Sequence, residues 1–233
     1  MRPRLAARVV AEFLGTMLLV AGVVGSGIMA ERLCGGNTGL ALLANTIATG
    51  ATLVALILTF GPISGAHLNP VVSVASAMEG GLARAEILPY VVGQIIGGIC
   101  GAMAANAMFG LRLVSLSHHV RSGPAQWLSE FIATFGLMCV ISGCTRSHPN
   151  LISFAVGGYI TAAYWFTAST SFANPAVTIA RSMSDTFSGI RLPDVALFIV
   201  AQVAGGIAGT ILFRWLMASL PPDSRESPFI PDG

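Results

Sequence analysis

His67-Leu68-Asn69-Pro70-Val71 and Phe172-Ala173-Asn174-Pro175-Ala176 place an Asn-Pro dipeptide in hydrophobic surroundings twice, once in each half of the chain. In a soluble protein both would read as ordinary turns. Here each sits in a segment too apolar for a surface loop and too interrupted for a full membrane helix. That combination points to two half-helices.

The composition around them fixes the solvent. Hydrophobic residues make up 54% of the chain and charged residues only 9%, with a mean hydropathy of +0.78, outside the range of globular domains. Six apolar stretches approach the roughly 20 residues that a helix needs to cross the hydrocarbon: Val9 to Ala30, Leu40 to Thr59, Ile87 to Phe109, Trp127 to Cys144, Leu151 to Ala168, and Pro193 to Met217. Connections are short and no polar domain is appended. Residues 1–233 therefore read as a single all-α transmembrane domain whose main partner is the lipid bilayer.

The chain has twelve arginines, no lysine and a net charge of +2, too small to imply a nucleic-acid partner. On a six-span layout Arg2, Arg4, Arg8, Arg84, Arg146, Arg214 and Arg225 fall on one side. Arg32, Arg112, Arg121, Arg181 and Arg191 fall on the other. The bias predicts a multi-pass protein of the plasma (inner) membrane with both termini cytoplasmic. Arg2, Arg4 and Arg8 before an apolar run also suit a secretory signal, but a signal's apolar core runs only about 7–15 residues. The first span is longer and has a counterpart in the second half, so it reads as retained. Cys34, Cys100, Cys139 and Cys144 have no metal-ligand spacing and receive no role; no cofactor, metal site or catalytic set is expected.

The chain repeats itself. Ala11-Glu12-Phe13-Leu14-Gly15-Thr16 opens the first span and Ser129-Glu130-Phe131-Ile132-Ala133-Thr134 the fourth. Gln94-Ile95-Ile96-Gly97-Gly98 in the third matches Gln202-Val203-Ala204-Gly205-Gly206 in the sixth. The unit, about 1–110 and again 126–220, holds three spans and one Asn-Pro segment. An odd number of spans inverts the second copy, so the two segments enter from opposite faces and meet near mid-bilayer. Pro70 and Pro175 suit the first helical position, and Asn69 and Asn174 the N-cap. Helices over Pro70 to Met78 and Pro175 to Met183 would cover about 15 Å, half the hydrocarbon core. Gly61, Pro62, Ser64 and Gly65 predict a break upstream, and irregular backbone at that depth requires a neighbouring water-filled cavity or protein. Glycines four apart (Gly93, Gly97, Gly101; Gly205, Gly209) predict close helix packing.

Ser64-Gly65-Ala66-His67-Leu68-Asn69-Pro70-Val71, the Ala11-Glu12-Phe13 opening and the second Asn174-Pro175-Ala176 box together resemble the aquaporin and aquaglyceroporin family over essentially the whole chain. The resemblance implies six transmembrane helices and two re-entrant half-helices in an inverted 3+3 repeat. It further implies a homotetramer with one pore per subunit, passing water or small neutral solutes passively. Asn69 and Asn174 match the pore asparagines, flanked by box residues Pro70, Val71, Pro175 and Ala176. The carbonyls of Gly65, Ala66 and His67, and of Thr170, Ser171 and Phe172, would form an acceptor ladder. Glu12 and Glu130 would hold the loops; acids inside a membrane otherwise flag function.

Water-selective relatives carry a filter arginine three residues after the second asparagine, where this chain has Val177. Ungapped spacing gives Thr49, Ala162 and Ser171 as the other filter positions. A filter without a guanidinium fork implies a wider passage for glycerol-like polyols and neutral metalloid hydroxides such as arsenous acid; bacterial relatives with this relaxed filter are associated with arsenic handling. Arg181, one turn beyond Val177, would restore charge further out or merely reach water. Val71 in place of alanine would tighten the contact between the half-helices. A water-selective aquaporin and a proton-coupled transporter using Glu12 or Glu130 stay open as alternatives. His118 and His119 read as solvated loop residues.

Overall fold

A computed structural model describes residues 3–219. Among them the chain forms eight α-helices and three short 3-10 turns, with no strand: α1 Leu5–Leu33, α2 Thr38–Ser64, α3 Pro70–Met78, α4 Ile87–Met108, α5 Pro124–Ser147, α6 Ile152–Phe166, α7 Pro175–Arg181 and α8 Val195–Ala218. Among the described residues, α1, α2, α5 and two segments containing α4 and α8 are long and apolar enough to cross a membrane. Helix α6, at 15 residues, spans roughly 22 Å, and a 3-10 turn over Pro149–Leu151 leads into it. The apolar surface of these helices is exposed on all outer sides, including Val10, Ile47, Leu88, Leu128, Phe154 and Val200, as a membrane protein requires. The two short helices, α3 and α7, lie between them.

Several helix ends depart from the sequence reading by a few residues, and two of them border the short helices. Helix α2 continues through Pro62 to Ser64 and stops where Gly65 takes φ +91°, beyond the expected end at Thr59. A proline in the last turn forfeits a single backbone bond, and the left-handed glycine is what terminates the helix. Helix α7 ends at Arg181, two residues before the expected Met183, as Ser182 and Met183 turn back onto Ile179 and Ala180.

Small residues set the packing. Helices α1 and α4 run parallel, with Gly93, Gly97 and Gly101 against the backbone of Val9, Phe13 and Met17. Helices α5 and α8 repeat this with Gly205 and Gly209 against the carbonyls of Phe131 and Phe135. At Gly97 and Gly205 a Cβ would occupy the space of the facing carbonyl oxygen. With no hydrophobic drive between helices in lipid, this proximity supplies the dispersion contact. Across the middle, α2 meets α6 where Gly50 and Gly157 face each other's carbonyls.

Polar contacts define two faces. At the face holding both ends of the described chain, Arg8 on α1 pairs with Glu86 before α4 at 2.5 and 2.9 Å. There too Glu79 after α3 meets Arg146 on α5 at 3.7 Å, and Arg214 on α8 donates to the Met78 carbonyl. Arg32, Arg121, Arg181 and Arg191 gather at the opposite face, with Arg112 in the connection that crosses it; Arg2 and Arg225 lie outside the described residues. In that connection His118 is not simply solvated. Its backbone N–H and ring Nδ1 meet the Asp185 carboxylate at 2.9 and 3.0 Å, an acid brought from 67 residues away. These hydrogen bonds hold the Asp185 carboxyl below its usual range.

Gly205→Ala should lower stability by about 1–3 kcal/mol through overpacking against the Phe131 carbonyl. Gly158→Ala on exposed α6, where nothing lies within 4 Å, should be neutral or gain up to about 1 kcal/mol. Thermal scans of the detergent-solubilised protein compare the two; equal melting would refute the close-packing account.

Candidate functional site

The loops leading into α3 and α7 share an unusual backbone. Ala66 and Leu68 have φ of +46° and +50°, and Ser171 and Ala173 have +48° and +49°. The two pairs stand at the same distances before Asn69 and Asn174. Side chains other than glycine in this region cost about 1–3 kcal/mol each and persist only when the surroundings over-determine them. Two fully buried acids do so. Glu12 accepts from the backbone N–H of His67 (2.9 Å) and Leu68 (2.6 Å), the Ser64 hydroxyl (2.6 Å) and the Gln94 amide (2.7 Å). Glu130 accepts from the N–H of Phe172 (2.9 Å) and Ala173 (2.8 Å) and from the Gln202 amide (2.6 Å). The same amides also donate to Ser73 on α3 and Thr178 on α7, tying each short helix to its long neighbour.

Held this way, the two helix tips meet. Asn69 donates from Nδ2 to the Ala173 carbonyl and Asn174 from Nδ2 to the Leu68 carbonyl, both at 2.8 Å. Each Oδ1 caps its own helix, accepting from Val71 in one case and from Ala176 and Val177 in the other. A side-chain amide has two donor hydrogens. One is taken by the opposite loop, and both asparagines also line the adjoining cavity.

That cavity holds about 740 Å³ and runs along the inside of the bundle. Glu79, Arg146 and Asn150 line it at the face of the chain ends, Leu68, Asn69, Ala173 and Asn174 at its middle, and Thr49, Tyr164, Ser171 and Arg181 towards the opposite face. Gly65, Ala66, His67, Phe172 and Val177 also line it. Among the described residues, no hydrogen bond within the protein engages the carbonyls of Gly65, Ala66, His67, Ser171 or Phe172. Thr170, φ +61°, lies outside the lining. The His67 ring sits against Tyr90, with centroids 5.4 Å apart, and meets the Ser73 hydroxyl at 3.1 Å. Pro70, Pro175 and Ala176 are buried behind the tips.

Two placements correct the sequence reading. Ala162 is exposed on the outer side of α6 and does not line the cavity. The α6 residues that do are Ile152, Ser153, Val156, Ile160 and Tyr164, a stripe at helical spacing. Ungapped counting back from Asn174 fails because it assigns a distance along the chain rather than a helix face. Tyr164, which it misses, meets the Thr49 hydroxyl at 3.2 Å; the 3-4 spacing of that stripe was the signal available. Val71, in turn, packs with Val72, Ala75 and Met138 and fills the space over Gly206 on α8, not the contact between the half-helices.

The sequence profile of the major intrinsic protein family matches residues 2–151 and 146–230. The chain is 53% identical to an aquaglyceroporin, AqpS, of Rhizobium meliloti (strain 1021) over 220 residues, 94% of each chain. It is 30% identical to a probable aquaporin, AqpM, of Archaeoglobus fulgidus, across 91% of this chain and 97% of that one. Its fold matches the X-ray structure of the aquaglyceroporin from Plasmodium falciparum with a TM-score of 0.70 at 22% identity, covering 94% of this chain and 98% of the other.

Glu130→Gln would turn an amide donor towards the N–H groups of Phe172 and Ala173. Leaving such groups unpaired costs about 1–3 kcal/mol each, so the variant should melt earlier and its loop should lose shape. Water permeability per reconstituted protein should fall several-fold, measured by stopped-flow light scattering. Wild-type permeability and melting together would exclude the anchoring role.

Proposed function

We propose a solute class for this channel from the premise that the chain belongs to the major intrinsic protein family, the aquaporins and aquaglyceroporins. It is a membrane channel for water and small solutes, not an enzyme. The finer reading is that it conducts glycerol-like polyols and neutral metalloid hydroxides such as arsenous acid, besides water. Val177 carries that reading. At a position where water-selective relatives place an arginine, an aliphatic side chain borders the cavity, with Thr49 and Ser171 as small neighbours. The name of the 53% identical relative supports polyol conduction.

The chemistry is an exchange of hydrogen bonds along one wall. A solute hydroxyl donates to the unengaged carbonyls of Gly65, Ala66 and His67, then to those of Ser171 and Phe172. At mid-passage its oxygen accepts from the second N–H of Asn69 and Asn174. Leu19, Val23, Val156 and Ile160 form the apolar side, suited to a carbon skeleton. The N-termini of α3 and α7 each present roughly half a positive charge, which opposes cations and interrupts proton relay. The proton-coupled alternative is disfavoured because Glu12 and Glu130 are already committed as acceptors to loop N–H groups. A water-selective pore is disfavoured by Val177. The rest of the reading is a homotetramer in the plasma membrane, both termini cytoplasmic, built from a duplicated unit spanning about 1–110 and 126–220.

Val177→Arg should reduce glycerol and arsenous acid uptake at least about tenfold, the size of a 1.4 kcal/mol barrier, and leave water flow measurable. Proteoliposome stopped-flow reads all three, and unchanged solute flux would remove Val177 from the constriction. Asn174→Leu should abolish every flux in the same assay; retained flux would remove the asparagines from the passage.

A further inference from the structure

We propose that Arg181, one helical turn beyond Val177, is the specificity-determining cation of this pore, excluding charged solutes and orienting neutral ones at the end nearest Thr49 and Tyr164. The proposal rests on the pore reading above and adds a residue to it.

The geometry is that of a held side chain whose two terminal nitrogens are free donors. Arg181 closes α7 and is only 1% exposed. Its Nε donates to the Ser188 carbonyl, and its guanidinium carbon stands 3.3 Å from the centroid of the Phe172 ring. These two contacts fix the plane of the group. Among the described residues neither Nη1, which is buried, nor Nη2 has a hydrogen-bond partner, and the residue lines the cavity. Buried polar atoms are nearly always satisfied, so an unpartnered guanidinium nitrogen beside a passage points to what passes: the oxygen of a water or a solute hydroxyl.

No carboxylate among the described residues contacts the guanidinium directly. Among the described residues Arg181 makes no ion pair. Glu130, the buried acid on this side of the bundle, makes its hydrogen bonds to Phe172, Ala173 and Gln202 and none to Arg181. Arg121, held by the carbonyls of Gly189 and Ser169, also stands over the Phe172 ring at 5.0 Å and adds positive potential. The polar groups sharing this end of the cavity are hydroxyls: the Thr49–Tyr164 pair and Ser171, whose buried Oγ also lacks a partner. A fixed cation without an ion pair, facing neutral hydroxyls, repels ammonium, metal ions and hydronium while donating to uncharged oxygens.

Position then tunes size. Four residues along α7 place the Cα of Arg181 about 6 Å further along the helix than that of position 177. Between the two donors lies the aliphatic wall of Val177. That interval suits a polyol or a hydroxide with several oxygens, which can accept from Asn174 and from Arg181 around one apolar stretch.

The test uses the full chain in proteoliposomes, with glycerol flux by light scattering and cation leak by methylammonium swelling and a pH-sensitive dye. Arg181→Gln should lower glycerol flux several-fold and raise methylammonium and proton leak at least tenfold. Adding Val177→Arg to that variant should restore tightness to cations, which a purely structural role for Arg181 would not predict. A monodisperse, glycerol-conducting Arg181→Gln protein as tight as wild type would overturn the proposal. Where Arg181→Gln is not monodisperse, Arg181→Lys decides: liposomes tight to both cations support it and leaky ones overturn it. Asn174→Leu separates the readings, since retained glycerol flux there sinks the pore itself whatever position 181 does.

Discussion

Two carboxylates buried among apolar helices hold the rest of this protein in place. Glu12 and Glu130 each accept two consecutive backbone N–H groups from a loop whose alternate residues are left-handed. The chain would not hold Ala66, Leu68, Ser171 and Ala173 in that region unaided. With the N–H groups turned to the acids, the intervening carbonyls are free of protein donors and the helix tips are brought head to head. Each Asn then reaches across to the other loop at 2.8 Å. Loop shape, cap and lining therefore follow from one charged acceptor in each half.

The same arrangement decides what these acids can do. A carboxylate engaged by three or four donors has little capacity left for a travelling proton. Taking one would strand at least one buried loop N–H, at about 1–3 kcal/mol. A charge inside a membrane usually marks a substrate path or relay. Here it marks an anchor, and flux is left to carbonyls, amides and the helix dipoles. A middle lined by carbonyls and amides, with both acids tied to the loops, suits passive movement of neutral molecules.

Much of this was legible in the sequence because it depends on local chemistry. Proline after asparagine can only start a helix there, glycines at four-residue spacing can only serve close approach in so apolar a chain, and the doubled Glu and Gln signals announced a doubled unit. What was not legible depends on three-dimensional phase. Ala162 and Tyr164 differ by two positions and therefore by about half a turn of helix, so counting along the chain chose the lipid side. The His118–Asp185 contact joins segments 67 residues apart with no local mark in either. Pro62 read as a helix stop, yet the stop falls at Gly65, where the backbone has to turn left-handed to begin the loop.

Val71 and Ala176 show how the two halves diverge while keeping one architecture. Both follow the box proline and both sit behind a helix tip. Ala176 is fully buried with its carbonyl close to Gly98 on α4, whereas Val71 fills the space over Gly206 on α8. Both long helices present a glycine there, and in the first half the Val71 side chain takes up the space that a Cβ at Gly206 would need. The tips keep their spacing, and the hydrogen bonds between Asn69, Asn174 and the opposing loops stay at equal lengths. The two halves therefore differ behind the tips without a change in the glycine that faces them. Val177 and Arg181, in front of the tips, line the cavity itself.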